Sequence, residues 1–362
     1  MKVTYLSTSD PDDGTKASQN RINLLKEGLA ELGVEVSQES YVSKITSKSL
    51  LHKVIRKIQL FFIELKLCIV SANSDFVIVY GEVGFKYLYY VIGKLAKTVL
   101  IIERNEYSGY LIREGLSRKQ INSFQKFENS IKFSQGFITC STNLRTYYSK
   151  FANENCRFIT IPLVVKLEDY KIDRTALNQI TYCGYMGDNK DGISDLLYAF
   201  SILLNKKHEL SLKLIGSAPR DTLLKLRGKA EKLGISNSVE FTGVLPRDEL
   251  AIALNESLVL VLARPANKQA EGGMPSKVAE YLATGLPVLV TDVGEIGEYM
   301  TNNENIFMTA PNSPEKFASK LDEILKDYPN SQAVGKKGQI LVENFNYSSQ
   351  GKKLFSFLSQ FE

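Results

Sequence analysis

The sequence predicts an α/β fold built from two Rossmann-like domains that face each other across a cleft. The chain has 362 residues, which is too many for one ordinary core and typical of two domains. Strand-like apolar runs alternate with helical patterns along it, as parallel sheets with right-handed crossovers require. The alternation pauses at a polar stretch, residues 166–178, and then begins again.

The first half, residues 1–165, opens with a βαβ pattern. Residues 2–7 predict a strand, and residues 16–32 place Ile22, Leu25 and Leu29 on one helix face before Gly33 ends the helix. The run FVIVY at 76–80 is apolar throughout, which is typical of a strand buried on both faces. The remaining predicted elements are strands at 34–36, 98–102, 136–140 and 157–165 and helices over 84–96 and from about residue 143.

The second half, residues 179–345, repeats the same alternation after the linker at 166–178. Its predicted strands are 179–187, 210–216, 239–243, 258–263 and 287–292, and its predicted helices are 192–205, 220–233, 247–255 and 275–284. In such folds ligands bind at the carboxyl ends of the strands, so we expect the ligand between the two halves.

Composition restricts the class of protein. Apolar residues make up 44% and charged residues 23%, which indicates a globular chain and not a disordered or fibrous one. No run reaches the roughly 20 apolar residues that a spanning helix needs, and the N-terminus lacks a secretory pattern, so we expect a cytoplasmic protein. The four cysteines lack metal-ligand spacing, so we expect reduced thiols and no bound metal. The acidic residues at 10–13 are expected to form a loop and not a metal site.

The segment after residue 263 carries the chemistry. Gly272 and Gly273 permit close approach of the backbone, and Pro275 stands where a helix prefers proline. The first amides of that helix, those of residues 276–278, are expected to lack intrahelical partners and to favour a phosphate.

Glu280 lies one turn into the same predicted helix, away from its apolar stripe. Its carboxylate is placed to accept hydrogen bonds from two vicinal sugar hydroxyls while the helix start holds phosphates. The alternative is a solvated i,i+3 ion pair between Lys277 and Glu280, which contributes about 0.2–0.5 kcal/mol.

The run PSKVAEYLATGLPV at 275–288 resembles the PSK-x-x-E-Y-x-A-x-G-x-P-V signature of retaining glycosyltransferases of family four, in the class of glycosyl transferases group 1. Other segments resemble further elements of that family. They are GYMGDNKDG (184–192), LIGSAP (214–219), VEFTGVLP (239–246), GFITCSTN (136–143) and FITIPLVV (158–165).

The resemblance implies the GT-B fold, a nucleotide-diphospho-sugar donor, retention of anomeric configuration and no metal cofactor. It also implies that a last helix, within 346–362, packs back on the first domain. In the site, Glu280 would hold the ribose, Lys190 would neutralise the leaving phosphate, and the backbone of Val244 and Leu245 would contact the base. The remaining donor-binding residues would be Gly14, Gly187, Gly272, Gly273, Met274, Pro275, Ser276 and Lys277.

Two departures from the family pattern concern the donor. Family members carry two glutamates separated by seven residues, whereas eight residues separate Glu271 from Glu280, and Gly272 stands at the matching position. Glu271 remains the candidate for the first, catalytic glutamate. Tyr185 replaces the usual arginine, which makes Arg264 the candidate for the missing positive charge, with a surface cation as the alternative.

A third departure concerns the acceptor. The family's histidine in the first half has no counterpart, and the strand end here reads IIERNEYSGY. Glu103 or Glu106 is expected to polarise the acceptor hydroxyl, and Glu106 is favoured because it lies further past the strand. A plain loop carboxylate is the alternative.

Residues 43–70 combine helically spaced apolar residues with six basic residues and one acidic residue, Glu64. Packing in the core explains the apolar stripe. The basic flank also favours an anionic membrane surface or a lipid-linked acceptor, in keeping with a net charge of +5 that arises within the first 170 residues.

Together these observations predict a glycosyltransferase that acts on a saccharide or lipid-linked acceptor in surface polysaccharide or glycoconjugate synthesis, without a nucleic-acid partner. One alternative is a sugar-nucleotide epimerase of the same architecture, which the shortage of histidines disfavours. The other is a catalytically silent scaffold that keeps the fold.

Overall fold

The computed structural model of the chain describes residues 1–7, 16–40, 61–62, 65–81, 89–92, 97–172, 175, 177–206 and 209–362. The described chain forms two compact units, Met1–Val164 with Tyr347–Glu362, and Val165–Asn346. Each unit is an α/β domain around a six-stranded parallel sheet. The predicted class of two Rossmann-like α/β domains is therefore confirmed.

The sheet of unit 1 has the strand order β2-β1-β3-β4-β5-β6. Its strands are β1 (Lys2–Ser7), β2 (Glu35–Ser40), β3 (Phe76–Tyr80), β4 (Val99–Arg104), β5 (Gly136–Thr139) and β6 (Arg157–Thr160), and its first helices are α1 (Ala17–Ala30), α2 (Gly109–Ile112), α3 (Arg118–Ser130) and α4 (Thr142–Tyr148). Residues 76–79 are all buried, as the apolar run predicts. The predicted strand at 157–165 is shorter in the structure and ends at Thr160.

The sheet of unit 2 has the order β12-β11-β10-β7-β8-β9. Its strands are β7 (Gln179–Cys183), β8 (Ser211–Ile215), β9 (Val239–Gly243), β10 (Val259–Leu262), β11 (Val288–Thr291) and β12 (Phe307–Thr309). Its helices are α5 (Asp188–Asp191), α6 (Ile193–Asn205), α7 (Arg220–Lys232), α8 (Arg247–Asn255), α9 (Lys268–Gly272), α10 (Lys277–Ala283), α11 (Ile296–Tyr299), α12 (Pro314–Lys326) and α13 (Tyr328–Leu341). β10 and β7 lie side by side in the middle, so the residues after them share one edge of the sheet.

The last helix, α14 (Tyr347–Leu358), belongs to unit 1 and packs against α1. Two glycines make this contact close, because a Cβ atom on Gly28 would overlap the Tyr347 carbonyl oxygen and one on Gly351 would lie 2.6 Å from the Gly28 Cα atom. The Tyr347 hydroxyl also donates to Glu31 Oε1 at 2.6 Å. The end of the chain thus completes the core of its first unit.

The segment predicted as a linker contains a short 3₁₀ turn, Leu167–Tyr170, in which Leu167 and Tyr170 are buried. This turn contacts α8 and α10 within unit 2. All four cysteines are free thiols, of which Cys140 is buried and the other three are partly exposed. Among the described helices, none combines the length and the apolar content that a membrane crossing requires.

Candidate functional site

The glycine-rich turn between α9 and α10 lies at the carboxyl edge of the second sheet. Residues 272–275 are buried, and α10 begins at Lys277, two residues after Pro275. The Val278 amide donates to the Pro275 carbonyl oxygen at 3.0 Å, so the chain enters the helix through a tight 3₁₀-type turn. The prediction that the Val278 amide lacks a partner is therefore wrong, and so is the predicted start of the helix at Pro275.

A buried carboxylate, Asp191, forms ion pairs with two cations beside this turn. Lys277 Nζ forms an ion pair with Asp191 Oδ2, and the Tyr182 hydroxyl donates to the same oxygen at 2.7 Å. Arg264 Nε lies 3.7 Å from Asp191 Oδ1 and donates to the Lys190 carbonyl oxygen at 3.0 Å. We call Asp191, Lys277, Arg264 and Tyr182 the cation cluster. Arg264 is buried within it, so the alternative of a surface cation is wrong.

Glycines permit the close packing that assembles the cation cluster. Gly192, directly after Asp191, has φ +63°, and a Cβ atom there would overlap the Ala263 carbonyl oxygen. A Cβ atom on Gly184 would overlap the Lys277 ammonium group. Only glycine allows these approaches, so the GYMGDNKDG turn brings Asp191 next to the end of β10.

The cation cluster holds one net positive charge, since two cations surround one carboxylate. Burial alone would raise the pKa of Asp191, but Lys277 and Arg264 outweigh it and hold that pKa below its usual value. Arg264 Nη1 is buried without a hydrogen-bond partner and lies 3.7 Å from the place of a Cβ atom on Gly273. The uncompensated charge therefore lies against the glycine-rich turn.

Glu280 has its own set of partners one turn further along α10. Arg247 Nη2 lies 3.9 Å from Glu280 Oε1 and donates to the Tyr170 hydroxyl at 3.0 Å. Burial raises the pKa of Glu280, and Arg247 and the Tyr170 hydroxyl oppose that rise. The Lys277 and Glu280 side chains are only 15% and 16% exposed. The alternative of a solvated Lys277–Glu280 pair is therefore wrong.

The structure brings most of the predicted donor residues together in unit 2. Val244 and Leu245 lie between β9 and α8, and Pro246 separates them from Arg247, the partner of Glu280. Gly187 precedes α5, and Lys190 lies within α5 beside Arg264. Glu271 lies on α9, where its half-exposed side chain pairs with Lys268 Nζ at 2.6 Å. Gly14 lies outside the described residues.

The predicted acceptor-side carboxylates lie at the end of β4 in unit 1. Glu103 is fully buried and its Oε1 atom accepts from Arg21 Nε at 2.6 Å. Such a closed pair leaves no access for an acceptor, so the alternative of Glu103 is wrong. Glu106 is partly exposed and lies two residues after the strand, and its carbonyl oxygen accepts from the Tyr148 hydroxyl at 2.8 Å.

Sequence reasoning missed Asp191, Arg247 and Tyr170. A signal for Asp191 exists, because Asp191 lies inside the GYMGDNKDG segment that resembles the family, between Lys190 and Gly192. No local pattern marks Arg247 or Tyr170, since they meet Glu280 only through the fold. In the part of the chain that the structure describes, no group of three or more His, Cys, Asp or Glu side chains is placed to hold a metal ion.

Comparison with known protein families gives a match within the second unit. Residues 175–340 match the model of the family described as glycosyl transferases group 1. This match confirms the predicted class of enzyme, a glycosyltransferase. The sequence matches no curated protein.

Solved structures with the same fold span nearly the whole chain. Sucrose-phosphate synthase from Thermosynechococcus elongatus has a TM-score of 0.76 at 15% identity, over 99% of this chain and 98% of that one. Anabaena HepE in complex with UDP-glucose has a TM-score of 0.72 at 13% identity, over 99% and 100% of the two chains. WaaG, a glycosyltransferase involved in lipopolysaccharide biosynthesis, has a TM-score of 0.68 at 14% identity, over 98% and 99%. These similarities confirm the predicted GT-B fold.

Proposed function

We propose that the chain is a retaining glycosyltransferase of family four that moves a sugar from a nucleotide-diphospho-sugar to a hydroxyl of a saccharide or lipid-linked acceptor. One observation carries the proposal. Within the region that matches the glycosyltransferase family model, one short helix carries both a mostly buried carboxylate, Glu280, and Lys277, a member of the net positive cation cluster.

The carboxylate of Glu280 suits the ribose of the donor. An ionised carboxylate accepts hydrogen bonds from two vicinal hydroxyls, and burial makes those bonds stronger than they are in water. Val244 and Leu245, which precede the Arg247 partner of Glu280, would contact the base through their backbone. The nucleoside would therefore lie along α8 and α10.

The cation cluster suits the diphosphate. When the bond between the donor sugar and its diphosphate breaks, negative charge develops on the leaving phosphate, and fixed positive charge stabilises it. Lys277 and Arg264 would supply this charge from positions that Asp191 and Tyr182 fix, and Lys190 would add a further ammonium group. Residues 272–276 would approach the phosphates and the donor sugar with their backbone.

The roles of the two remaining carboxylates follow from their positions. Glu271 stands next to the glycine-rich turn and would contact the donor sugar. Glu106 stands just beyond β4 and would polarise the acceptor hydroxyl. Anabaena HepE was solved with UDP-glucose, which makes uridine the first base to test.

Transfer assays with a panel of sugar nucleotides test the proposal. The donor that most raises the melting temperature is incubated alone and with mono- and disaccharide acceptors or a lipid-linked acceptor. We expect a glycosylated product whose NMR spectrum shows the anomeric configuration of the donor. Turnover of the sugar nucleotide to an isomer without an acceptor would establish an epimerase, and an inverted product would contradict the retaining mechanism. Absence of any donor binding or turnover would indicate a silent scaffold.

We also propose that unit 1 contacts an anionic membrane through residues 43–70. Within the described part of this segment, Phe61, Phe62, Leu65 and Ile69 are exposed, so core packing does not account for these apolar side chains. The basic flank at 44–57 lies outside the described residues, and its charge complements anionic lipid. We expect co-sedimentation with phosphatidylserine vesicles that weakens as salt rises, and Phe61→Ser with Phe62→Ser should reduce it. Equal binding to neutral vesicles would contradict this proposal.

A further inference from the structure

Glu280 lies at the centre of a polar network drawn from three separate chain segments. Arg247 is the first residue of α8, Glu280 lies on α10, and Tyr170 and Asp169 come from the 3₁₀ turn near the start of unit 2. Arg247 Nη2 lies 3.9 Å from Glu280 Oε1 and 3.7 Å from Asp169 Oδ2. Neither Arg247 nor this turn forms part of the sequence motifs that predict the donor site.

The hydrogen bonds of this network have a defined direction. Arg247 Nη2 donates to the Tyr170 hydroxyl oxygen at 3.0 Å, and a guanidinium group can only donate. The Tyr170 hydroxyl therefore donates its own proton in its side-chain hydrogen bond to the Glu280 carboxylate. The buried Tyr170 is itself fixed, because its carbonyl oxygen accepts from Asn255 Nδ2 at 3.0 Å.

We propose that Arg247 and Tyr170 are positioning residues that keep the Glu280 carboxylate charged and oriented for a pair of vicinal hydroxyls. The inference rests on the proposed function, since the diol is that of the donor ribose. Neither residue needs to touch the ligand. Arg247 supplies the opposite charge, and Tyr170 fixes the orientation of the carboxylate by a hydrogen bond.

The physical need for such partners follows from burial. A mostly buried carboxyl group tends to stay protonated, and a protonated carboxyl group is a poorer acceptor for two hydroxyls. Burial raises the pKa of Glu280, and Arg247 opposes that rise most strongly among its neighbours. Without Arg247, Glu280 would take up a proton at a higher pH, and the diol would lose its charged acceptor.

The other ionisable groups that act on Glu280 do not replace Arg247. Lys277, on the same helix, also lowers the pKa of Glu280, but less than Arg247 does, and it is paired with Asp191. The nearby Asp169 raises the pKa of Glu280. Cys183, at the end of β7, stays a neutral thiol because burial and the Glu280 carboxylate raise its pKa to about 12. Burial also raises the pKa of Tyr281, next to Glu280, so that its phenol remains protonated. Arg247 is thus the main charge on which the ionisation of Glu280 depends.

The first test measures Glu280 in the protein without ligand. Carbon-13 carboxyl NMR follows its titration in the full chain, with the signal assigned by its loss in Glu280→Gln. We expect Arg247→Met to raise the pKa of Glu280, Arg247→Lys to restore much of the wild-type value, and Tyr170→Phe to raise it slightly. Arg220→Met, at the exposed start of α7, is the matched control and should change nothing. An unchanged Glu280 titration in a folded Arg247→Met variant would overturn the proposal.

The second test measures binding of UDP, ADP and GDP between pH 8 and pH 6 by calorimetry. Because the terminal phosphate of these ligands itself titrates at about pH 6, the variants are compared with the wild type at each pH. We expect the loss of affinity caused by Arg247→Met to be about tenfold larger at pH 6 than at pH 8. In the Glu280→Gln background, Arg247→Met should cause little further loss, whereas an additive loss would mean that Arg247 contacts the ligand and would overturn its positioning role. If no nucleoside diphosphate binds the wild type while the Glu280 titration still depends on Arg247, the proposed function fails and the proposed coupling between Arg247 and Glu280 stands.

Discussion

Both units carry buried ion pairs at the carboxyl edge of a parallel sheet, but the two differ in access to solvent. In unit 1, Arg21 and Glu103 are 8% and 0% exposed, and Arg21 also donates to the Ile161 carbonyl oxygen at 2.7 Å. In unit 2, the Lys277 and Glu280 side chains are 15% and 16% exposed and Arg247 is 35% exposed. Unit 2 thus combines a closed pair, Asp191–Arg264, which is 1% and 5% exposed, with charges that reach solvent, whereas the Arg21–Glu103 pair of unit 1 is closed.

Under the proposed function, this difference separates a structural role in unit 1 from a binding role in unit 2. The Arg21–Glu103 pair joins α1 to β4 and leaves no atom for a ligand to reach. The charges of unit 2 lie beside a glycine-rich turn, and together Asp191, Lys277 and Arg264 keep one net positive charge. We infer that unit 1 uses its buried pair to hold a helix on a sheet, whereas unit 2 uses its charges to bind.

The largest effect on stability is expected in unit 1. Arg21→Met leaves Glu103 buried and unpaired, with its Oε2 atom already without a partner, and should lower the free energy of unfolding by about 3–5 kcal/mol. Urea denaturation measures this loss. Lys2→Met, which removes the exposed pair with Glu35, is the control and should cost about 0–1 kcal/mol. Equal small losses in both variants would erase the contrast between the units.

Lys277→Met, in unit 2, is expected to lower stability less than Arg21→Met does and also to weaken ligand binding. Asp191 still forms an ion pair with Arg264 in this variant, so the free energy of unfolding should fall by only about 1–3 kcal/mol. Affinity for a nucleoside diphosphate should fall about tenfold because a charge near the phosphates is lost. Calorimetry and urea denaturation report the two effects, with Lys268→Met as the exposed control. Unchanged affinity would place the phosphates elsewhere.

The pH dependence of stability sharpens the same comparison. Because the pKa of Asp191 is lowered in the folded state, its ion pairs stabilise the protein above the ordinary pKa of about 3.9 and are lost as the pH falls through the lower folded value. The free energy of unfolding of the wild type should therefore fall more steeply below about pH 4 than that of Asp191→Asn. Parallel curves for the two proteins would contradict the lowered pKa.

The smallest effect on stability is expected at Glu271. Its pair with Lys268 is half exposed, so Glu271→Gln should change the free energy of unfolding by less than about 1 kcal/mol. If Glu271 contacts the donor sugar, kcat should still fall about tenfold or more. Steady-state transfer assays with Lys268→Met as the control measure this. A kcat equal to that of the wild type would show that Glu271 is a surface carboxylate with no role in transfer.

The sequence predicted those parts of the fold that depend on local pattern. The apolar run at 76–80 defines a strand with the observed bounds, because a strand covered on both faces needs apolar side chains throughout. Residues 239–243 also form a strand with the predicted bounds, although this edge strand is partly exposed. The bounds of residues 247–255 as a helix are also as predicted. The helices of residues 314–341 were not assigned from the sequence, although they are well formed in the structure.

The candidate site was predictable only where a motif marks it. Lys277 and Glu280 lie in one such motif, whereas Asp191, Arg247 and Tyr170 are up to 110 residues from Glu280 and meet it or Lys277 through the strand order of unit 2. Propensity rules also mislead at the start of α10, since Pro275 precedes a tight turn there and the Val278 amide is paired. Long-range pairing of charges is the part that one sequence does not reveal.

Binding of nucleoside diphosphates to Glu280→Ala tests the central claim most directly. Calorimetry compares this variant with the wild type, using the ribonucleotide and its 2′,3′-dideoxy analogue. If Glu280 holds the ribose, the variant should lose about 1.5–3 kcal/mol, or roughly tenfold to a hundredfold in affinity, for the ribonucleotide and almost nothing for the analogue. Wild-type affinity of Glu280→Ala for the ribonucleotide would contradict the account.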